Sequence, residues 1–420
     1  MQRERMYFCI DMKSFFASVE CAERGLNPFQ TNLVVANPER GRGAICLAVT
    51  PKMKSLGVKN RCRLFEIPKG IDYIVAMPRM RKYIEYAADI HSIYLKYIDK
   101  DDIHPYSIDE SFIDATDYLK IYKKTPLELA KMLLAEIADK KGIPAAAGIG
   151  TNLYLAKVAL DITSKKSKDN IGYLNEGLYK KMLWRHVPIT DFWQVAHGTA
   201  RRLYKRGIFD MYGVAHYPPE LLYREFGIDA ELLIDHAWGR ESCTIGDIKN
   251  YKGKSRSVST SQILFEDYPF EKARIVMEEM VRSLSYELMR YELVTDSVNV
   301  YVGYSKDVIP PSKGHVRMPI ATNLSALILP YAMGCLDKVA QRGQAIRRLG
   351  IAFSNVASQR CERYDLFTDP TWLERERRRE LAAIQIHQKY GKNALIRAAD
   401  LLEGATARIR NTLIGGHNSE

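Results

Sequence analysis

The sequence has little cysteine and nowhere pairs it. Seven occur in 420 residues (Cys9, Cys21, Cys46, Cys62, Cys243, Cys335, Cys361), an odd number, widely spaced and without a CxxC. That excludes a disulfide framework or a zinc ribbon and fits a reducing compartment. No apolar run approaches the roughly 18 residues of a membrane span. The short apolar stretch after Met1–Arg5 is broken at Asp11, so neither a membrane helix nor a secretory leader is expected. Repeats and low-complexity tracts are absent too. Acid is in deficit: Asp plus Glu is 50 against 62 for Lys plus Arg, a net charge of +12. With 46% hydrophobic and 27% charged residues the chain is ordinary globular material. Its length suggests two to four domains at roughly 150 residues each. The basic surplus favours a polyanionic partner, nucleic acid first. The expectation is a soluble, cytoplasmic protein with no membrane partner.

The N-terminal third alternates between two periods. Met6–Ile10 reads as a short buried strand ending at Asp11, and Arg79–Ile98 carries Tyr83, Tyr86, Ala87, Ile90, Tyr94 and Tyr97 at helical spacing. Two strand-like runs, about His104–Ile108 and Ser111–Thr116, meet at Asp109-Glu110. Thr125-Pro-Leu-Glu128 is a capping box with Pro at the first helical position; it opens a helix to about Lys141, and Pro144–Ile149 reads as a last strand. Strand, helix, strand, strand, helix, strand is the ferredoxin-like order, here with an insertion at about Phe15–Tyr73. In that topology the third strand lies antiparallel beside the first, so Asp11 is expected next to Asp109 and Glu110. Clustered carboxylates repel one another and call for protonation or bound cations. Mg²⁺ suits oxygen ligands shared with phosphates, and two such ions roughly 3.5–4 Å apart serve in-line phosphoryl displacement. The bland alternative is a solvated hairpin turn at Asp109-Glu110 and a helix N-cap at Asp11.

Beyond residue 150, Asn152–Thr163 looks helical, residues 163–170 form a polar basic break, and short helices run to about Arg240. Within Asp191–Ile208, the run Val195–Leu203 reads as a turn leading to a helix N-terminus whose free N–H groups can hold a phosphate, or as an ordinary helical turn. A linker at Tyr251–Ser255 enters a second α/β unit. Its strands are expected at about Lys254–Phe265, Ser297–Tyr304, Lys313–Ile320 and Ile346–Phe353, its helices at about Phe270–Tyr291 and Leu324–Gln341. Lys252, Lys254 and Arg256 recur at spacing two, and Lys313, Arg317, Arg347 and Arg348 lie on or beside strands, whereas Glu271, Glu278, Glu279, Glu287 and Glu292 fall on the helix. A sheet basic on its outer face could track a phosphate backbone by shape and charge, without sequence readout. From Ala357 the chain is polar, with a charged helix around Trp372–Gln388.

Two stretches, Ile10-Asp11-Met-Lys-Ser-Phe-Phe-Ala-Ser-Val-Glu20 and Tyr106-Ser-Ile-Asp-Glu-Ser111, resemble the Y-family translesion DNA polymerases in order and spacing, and the likeness extends over essentially the whole chain. The tail, Gly391-Lys-Asn-Ala394, Gly404-Ala-Thr406, Arg410-Asn411 and Ile414-Gly-Gly-His417, resembles the UmuC-like branch of Gram-positive bacteria and their phages, UvrX proteins among them. The resemblance implies an α+β multidomain, right-hand polymerase. Its parts are a ferredoxin-like palm (1–17 and 76–165), fingers (18–75), a helical, helix-hairpin-helix-like thumb (166–245), a βαββαβ-type, DNA-binding little finger (252–356) and a tail (357–420).

The same resemblance implies a DNA-directed DNA polymerase of the damage (SOS) response, performing low-fidelity, mutagenic synthesis past damaged bases without proofreading. Asp11, Asp109 and Glu110 would hold two Mg²⁺, helped by the Met12 carbonyl. Phe16 would be the steric gate against a ribose 2′-OH, with Phe15 in the core. Lys54 stands where the family usually has a triphosphate-binding Arg, giving charge without the bidentate fork, and Pro51 replaces the usual Tyr. Lys165, or its neighbour Lys166, would be the second triphosphate lysine. Gly198, Lys252, Lys254, Arg256, Arg317, Arg347 and Arg348 would contact primer–template DNA. Arg363-Tyr364-Asp365-Leu366-Phe367 resembles the peptide that binds the sliding clamp, lacking its leading Gln. Implied partners are primer–template DNA, deoxynucleoside triphosphates, the clamp and accessory SOS proteins. The competing expectations are a catalytically silent DNA- and clamp-binding scaffold, against which the intact carboxylates count, and a two-metal cyclase, which needs no duplex grip.

Overall fold

The computed structural model describes residues 5–253, 256–305, 309–361 and 368–419. It divides into two compact units, Met1–Tyr251 with His417–Glu420, and Lys252–Gly416. Lys254 and the peptide Arg363–Phe367 lie outside the described residues.

The first unit is built on a five-stranded sheet. Strand β1 (Tyr7–Met12) alternates its faces, as the pleat dictates. Tyr7 and Cys9 pack with Phe112, Ala146, Leu153, Ala156 and Leu160 on one side. Phe8, Ile10 and Met12 join Ile90, Ile93, Tyr94, Leu129, Leu133 and Ile137 on the other. After β1 come α1 (Phe15–Ala22) and a small sheet in which β2 (Leu33–Val35) pairs antiparallel with β3 (Ala48–Val49) and parallel with β4 (Ile74–Ala76). Helix α2 (Pro51–Ser55) follows β3, capped by the Thr50 hydroxyl. The large sheet resumes through α3 (Met80–Leu95), β5 (Ile103–Pro105), β6 (Glu110–Asp114), the short α4 (Tyr118–Tyr122), α5 (Pro126–Lys141) and β7 (Ala145–Gly150). The capping box at Thr125 and Glu128 forms as the sequence indicates.

The sheet order is β5-β6-β1-β7-β8, with β1 antiparallel to both neighbours. Strand β8 (Ile171–Leu174) pairs parallel with β7, so the sheet runs on past residue 165, into the stretch expected to begin the thumb. Helix α6 (Leu153–Val158) lies on the β1–β7 ladder, and glycine lets it come close. A Cβ on Gly148 would stand 2.0 Å from the Ala156 carbonyl oxygen, and one on Gly150 2.2 Å from the Ala156 nitrogen. The helix continues through a π turn at Ala159–Thr163 into a 3₁₀ turn at Ser164–Lys166. A π turn takes in one extra residue, and here it sets the position of Lys165. Helices α7 (Glu176–Leu183), α8 (His197–Tyr204), α9 (Met211–Ala215), α10 (Pro219–Phe226), α11 (Asp229–Trp238) and α12 (Ile245–Asn250) complete the unit. Their core is Tyr154, Tyr179, Phe192, Leu203, Met211 and Phe226.

The second unit repeats the ferredoxin-like order: β9 (Val258–Tyr268), α13 (Phe270–Arg290), β10 (Leu293–Tyr304), β11 (Ser312–Thr322), α14 (Ser325–Val339) and β12 (Ile346–Ser354). The sheet runs β11-β10-β12-β9, every pair antiparallel. Val298, Val300, Leu349, Ile351 and Phe353 face the two helices. Strand β9 starts at Val258, so the spacing-two argument for Lys252 and Arg256 is corrected: both precede the strand, in exposed coil. Helix α15 (Pro370–Tyr390) packs on α13 through Leu373 and Ile384, with Glu380 taking the Ser325 hydroxyl. Among the described residues no helix is long and apolar enough to cross a membrane.

Candidate active site

Asp11 and Glu110 are Cα partners in the β1–β6 ladder, and the Met12 amide donates to the Asp109 carbonyl at 3.0 Å. Opposed residues of an antiparallel pair share a face, so both acidic side chains leave the sheet on the α6 side. The bland alternative holds only for Asp109, which sits half-buried in the turn between β5 and β6. Glu110 is 8% exposed on a strand, and the N-cap of α1 is Ser14, in the left-handed region with φ 51°. Asp109 accepts the Ser107 hydroxyl at 2.7 Å.

Electrostatics mark the cluster. Burial first, and then the charges of Asp109 and Glu110, push the Asp11 carboxyl up to about 7. Glu110 is turned onto Lys157 of α6, whose Nζ stands 2.8 Å from Oε1 and 3.0 Å from Oε2, and its Oε1 also accepts the Cys9 thiol at 2.9 Å. Lys157 also meets Asp161, one turn on, at 3.1 Å. Burial works against the lysine's charge, but Asp161, Cys9 and Glu110 together raise its pKa. Sequence reasoning missed Lys157, Cys9 and Asp161. The signal was a lysine inside the apolar run Leu153–Ile162, with an acid four residues later.

Among the described residues no three His, Cys, Asp or Glu side chains are gathered as closely as a metal ion needs, and Glu110 is paired with Lys157. The donor set nevertheless fits hard divalent cations. Asp11 and Glu110 leave adjacent inner strands on one face, with Asp109 next to Glu110 in the chain, and the burial and like charge that raise Asp11 are what a bound cation would offset.

Cations line the approach. Lys54 on α2 is open to solvent yet ringed by protein. Partial desolvation, against the opposing pull of Asp11, and the charge of Lys165 together lower its pKa. Lys13 is lowered by desolvation and by Lys54, again against the pull of Asp11. Lys54 and Lys165, far apart in sequence, thus belong to one electrostatic neighbourhood beside Asp11.

Phe15 is buried, and Phe16 is half-buried and stacks on Tyr83 with ring centroids 4.5 Å apart. Tyr83 donates its hydroxyl to Glu20 at 2.8 Å; Glu20 is fully buried and held by Arg79 at 2.9 Å and by Arg24. Burial opposes the Glu20 charge, but the donors Arg79, Arg24 and Tyr83 keep its pKa below the usual range.

The other candidates are distributed. Gly198 lies in the first turn of α8, with open space around it. On the second unit's outer sheet face, Tyr301 pairs with Lys313 and Gly350, and Arg348 sits 5.6 Å from the Tyr301 ring. Arg317 pairs with Asp296 at 3.2 Å, and Arg347 leans to Asp267 and the Phe265 carbonyl. Of the acids expected on the helix, Glu279 is 7% exposed and faces Thr406, and Glu292 lies beyond the end of α13, with φ 51°.

Comparison with known proteins gives these features a lineage. Residues 10–161 match the impB/mucB/samB family and residues 255–366 match that family's C-terminal domain. The chain is 31% identical over 416 residues to UvrX of Bacillus subtilis (strain 168), covering 98% of this chain and 97% of that protein. The chain belongs to the Y family of DNA polymerases. DNA polymerase IV 2 of the same organism is 32% identical over 426 residues, covering 99% of this chain and all of its own. Among solved structures, the Y-family DNA polymerase chimera Dbh-Dpo4(243-245)-Dbh superposes with a TM-score of 0.64 at 19% identity, covering 84% of this chain and 99% of its own. The right-hand α+β polymerase fold is therefore shared, little finger included. In this Y-family chain the two quoted motifs meet as Asp11 and Glu110 on adjacent strands.

Proposed function

We propose that this Y-family enzyme extends DNA primers past damaged template bases, with low fidelity and without proofreading, in the cytoplasm. The observation that carries the reading is the pairing of Asp11 with Glu110 on two inner strands of the sheet, beside Asp109, with Lys54 in the electrostatic reach of Asp11 and Lys165. Asp11, Asp109, Glu110 and the Met12 carbonyl would hold two Mg²⁺, which when bound favour attack of a primer 3′-hydroxyl on the α-phosphate and offset charge on the departing pyrophosphate. Lys54 and Lys165 hold the triphosphate as point charges, which suits a lysine better than a directional grip. Phe16, braced by Tyr83, presents a ring that excludes a 2′-hydroxyl. Gly198 meets the duplex backbone, as do Lys252, Lys254, Arg256, Arg317, Arg347 and Arg348, and such contacts give affinity without sequence preference. The peptide 363–367 docks on a sliding clamp, and accessory SOS proteins join at the lesion.

Primer extension tests the reading. Purified protein and Asp109→Asn are compared on a primed template, intact or carrying an abasic site, with Mg²⁺ and deoxynucleotides. The native protein should add nucleotides and pass the abasic site, and Asp109→Asn should not. Tight DNA binding without extension, unchanged when clamp and accessory proteins are added, would refute it.

A further inference from the structure

Glu110 reaches the carboxylate cluster already occupied. Gly148 and Gly150 let α6 settle on the sheet, and this brings Lys157, 9% exposed, against both Glu110 oxygens at 2.8 and 3.0 Å. The Cys9 thiol holds Oε1 from the strand side at 2.9 Å. Asp161 holds the ammonium from the far side at 3.1 Å. The Tyr106 ring lies 5.9 Å from the same ammonium, itself held by the Trp193 indole N–H at 3.1 Å. Five side chains thus fix the direction in which Glu110 points.

We propose that Lys157 is a positioning residue: it holds the Glu110 carboxylate toward α6, so that a divalent cation gains Glu110 only in competition with the ammonium. This rests on the reading of Asp11, Asp109 and Glu110 as the cation carboxylates. A carboxylate already paired with a buried ammonium is a weaker ligand than a bare one, because the ion must displace or share a charge-assisted hydrogen bond. Asp161 sets the strength of that competition. When it shares the ammonium, Glu110 is held less tightly; when it is removed, Glu110 is held more tightly. The cluster is therefore uneven, with a firm side at Asp11 and Asp109 and a weak side at Glu110.

The test is Mn²⁺ binding to the DNA-free full chain, followed by electron paramagnetic resonance, together with turnover at saturating Mg²⁺. Lys157→Met should bind Mn²⁺ about fivefold more tightly, since the competing charge is gone. Its kcat should fall about tenfold with the nucleotide KM unchanged, since Glu110 has lost its bearing. Lys157→Arg should recover most of that turnover. Asp161→Asn should bind Mn²⁺ about threefold more weakly, and it carries the test if Lys157→Met does not fold. A lysine with a merely structural role would lower the melting temperature and leave Mn²⁺ affinity and kcat of the folded protein where they were. That outcome, with Asp11→Asn abolishing Mn²⁺ binding, overturns the proposal and leaves the carboxylate reading intact. Mn²⁺ binding indifferent to Asp11→Asn would instead overturn the carboxylate reading itself.

Discussion

Asp11 stands directly across the β1–β6 ladder from Glu110, and burial together with the charges of Asp109 and Glu110 lifts its carboxyl from an ordinary 3.8 to about 7. A carboxyl raised in the folded state holds its proton there over a pH range in which the unfolded chain has lost it. Between about pH 4 and 7 the folded chain binds more protons, so stability falls as pH rises through that window and stays low above it. Without divalent cations, Asp11→Asn should therefore melt higher than the native protein at pH 8, and the difference should shrink toward pH 4. Mg²⁺ should raise the melting temperature of the native protein at pH 8 more than that of the variant. Thermal melts at the two pH values, with and without Mg²⁺, check this. Identical curves for the two proteins at pH 8 would sink it.

The Phe16–Tyr83 stack predicts a trade between selectivity and stability. Tyr83 is anchored by the buried Glu20 and its two arginines, so the Phe16 ring rests on a rigid support. Phe16→Ala should raise ribonucleotide use relative to deoxynucleotide use by about 100-fold, in the range a pocket excluding one small group achieves. It should cost about 2 kcal/mol of stability, because a half-buried, stacked ring is lost. Single-nucleotide insertion kinetics and a melt test both. Unchanged sugar discrimination would remove Phe16 from the gate.

Lys54 and Lys165 share one electrostatic neighbourhood, so their replacements should not act independently. Lys54→Ala should raise the KM for deoxynucleoside triphosphate about tenfold, the loss of one charge-assisted contact, with kcat within a factor of about three. Lys54→Arg should lower the KM, because a guanidinium adds the bidentate fork. The double replacement with Lys165→Ala should cost less than the product of the single effects. Steady-state kinetics at fixed ionic strength decide this, and a Lys54→Ala enzyme with native KM would take the residue out of the triphosphate site.

The meeting of Asp11 and Glu110 was legible because two short apolar runs end at acids and the ferredoxin-like order leaves a single place for the third strand. Lys157 was not, since a lysine within Leu153–Ile162 reads as an interruption until the helix is docked and its ammonium is seen to face Glu110. Strand β8 was hidden by its brevity and by the basic break before it; only its pairing with β7, a non-local contact, makes it a strand. The spacing of Lys252, Lys254 and Arg256 suggested a strand, but extended coil shows the same period, and the ladder begins at Val258. Glu279 looked like its helical neighbours because periodicity reports which face a residue is on, and not what later chain covers that face.

What covers Glu279 is the tail motif around Thr406. The Glu279 carboxylate, on α13, accepts the Thr406 amide at 3.0 and 3.1 Å and its hydroxyl at 2.8 Å. Burial raises the Glu279 pKa against the donors of Ala407 and Thr406. Nearby, Lys272 meets Glu403 at 2.5 Å, and a Cβ on Gly404, whose φ is 93°, would stand 2.9 Å from the Lys272 side chain. The segment from Gly391 to Gly416 is therefore a built part of the second unit and not an appended tether. Thr406→Val keeps the shape and removes one donor to a buried charge, which should cost about 2 kcal/mol. Glu279→Ala should cost more, because it strands the amides of residues 406 and 407 as well. Hydrogen exchange is the appropriate measurement: in Thr406→Val, amides of residues 391–416 should exchange faster while those of β10 and β12 keep their protection. Uniform loss across the unit would mean that the tail unfolds only with the sheet; no change anywhere would mean that Glu279 is not its anchor.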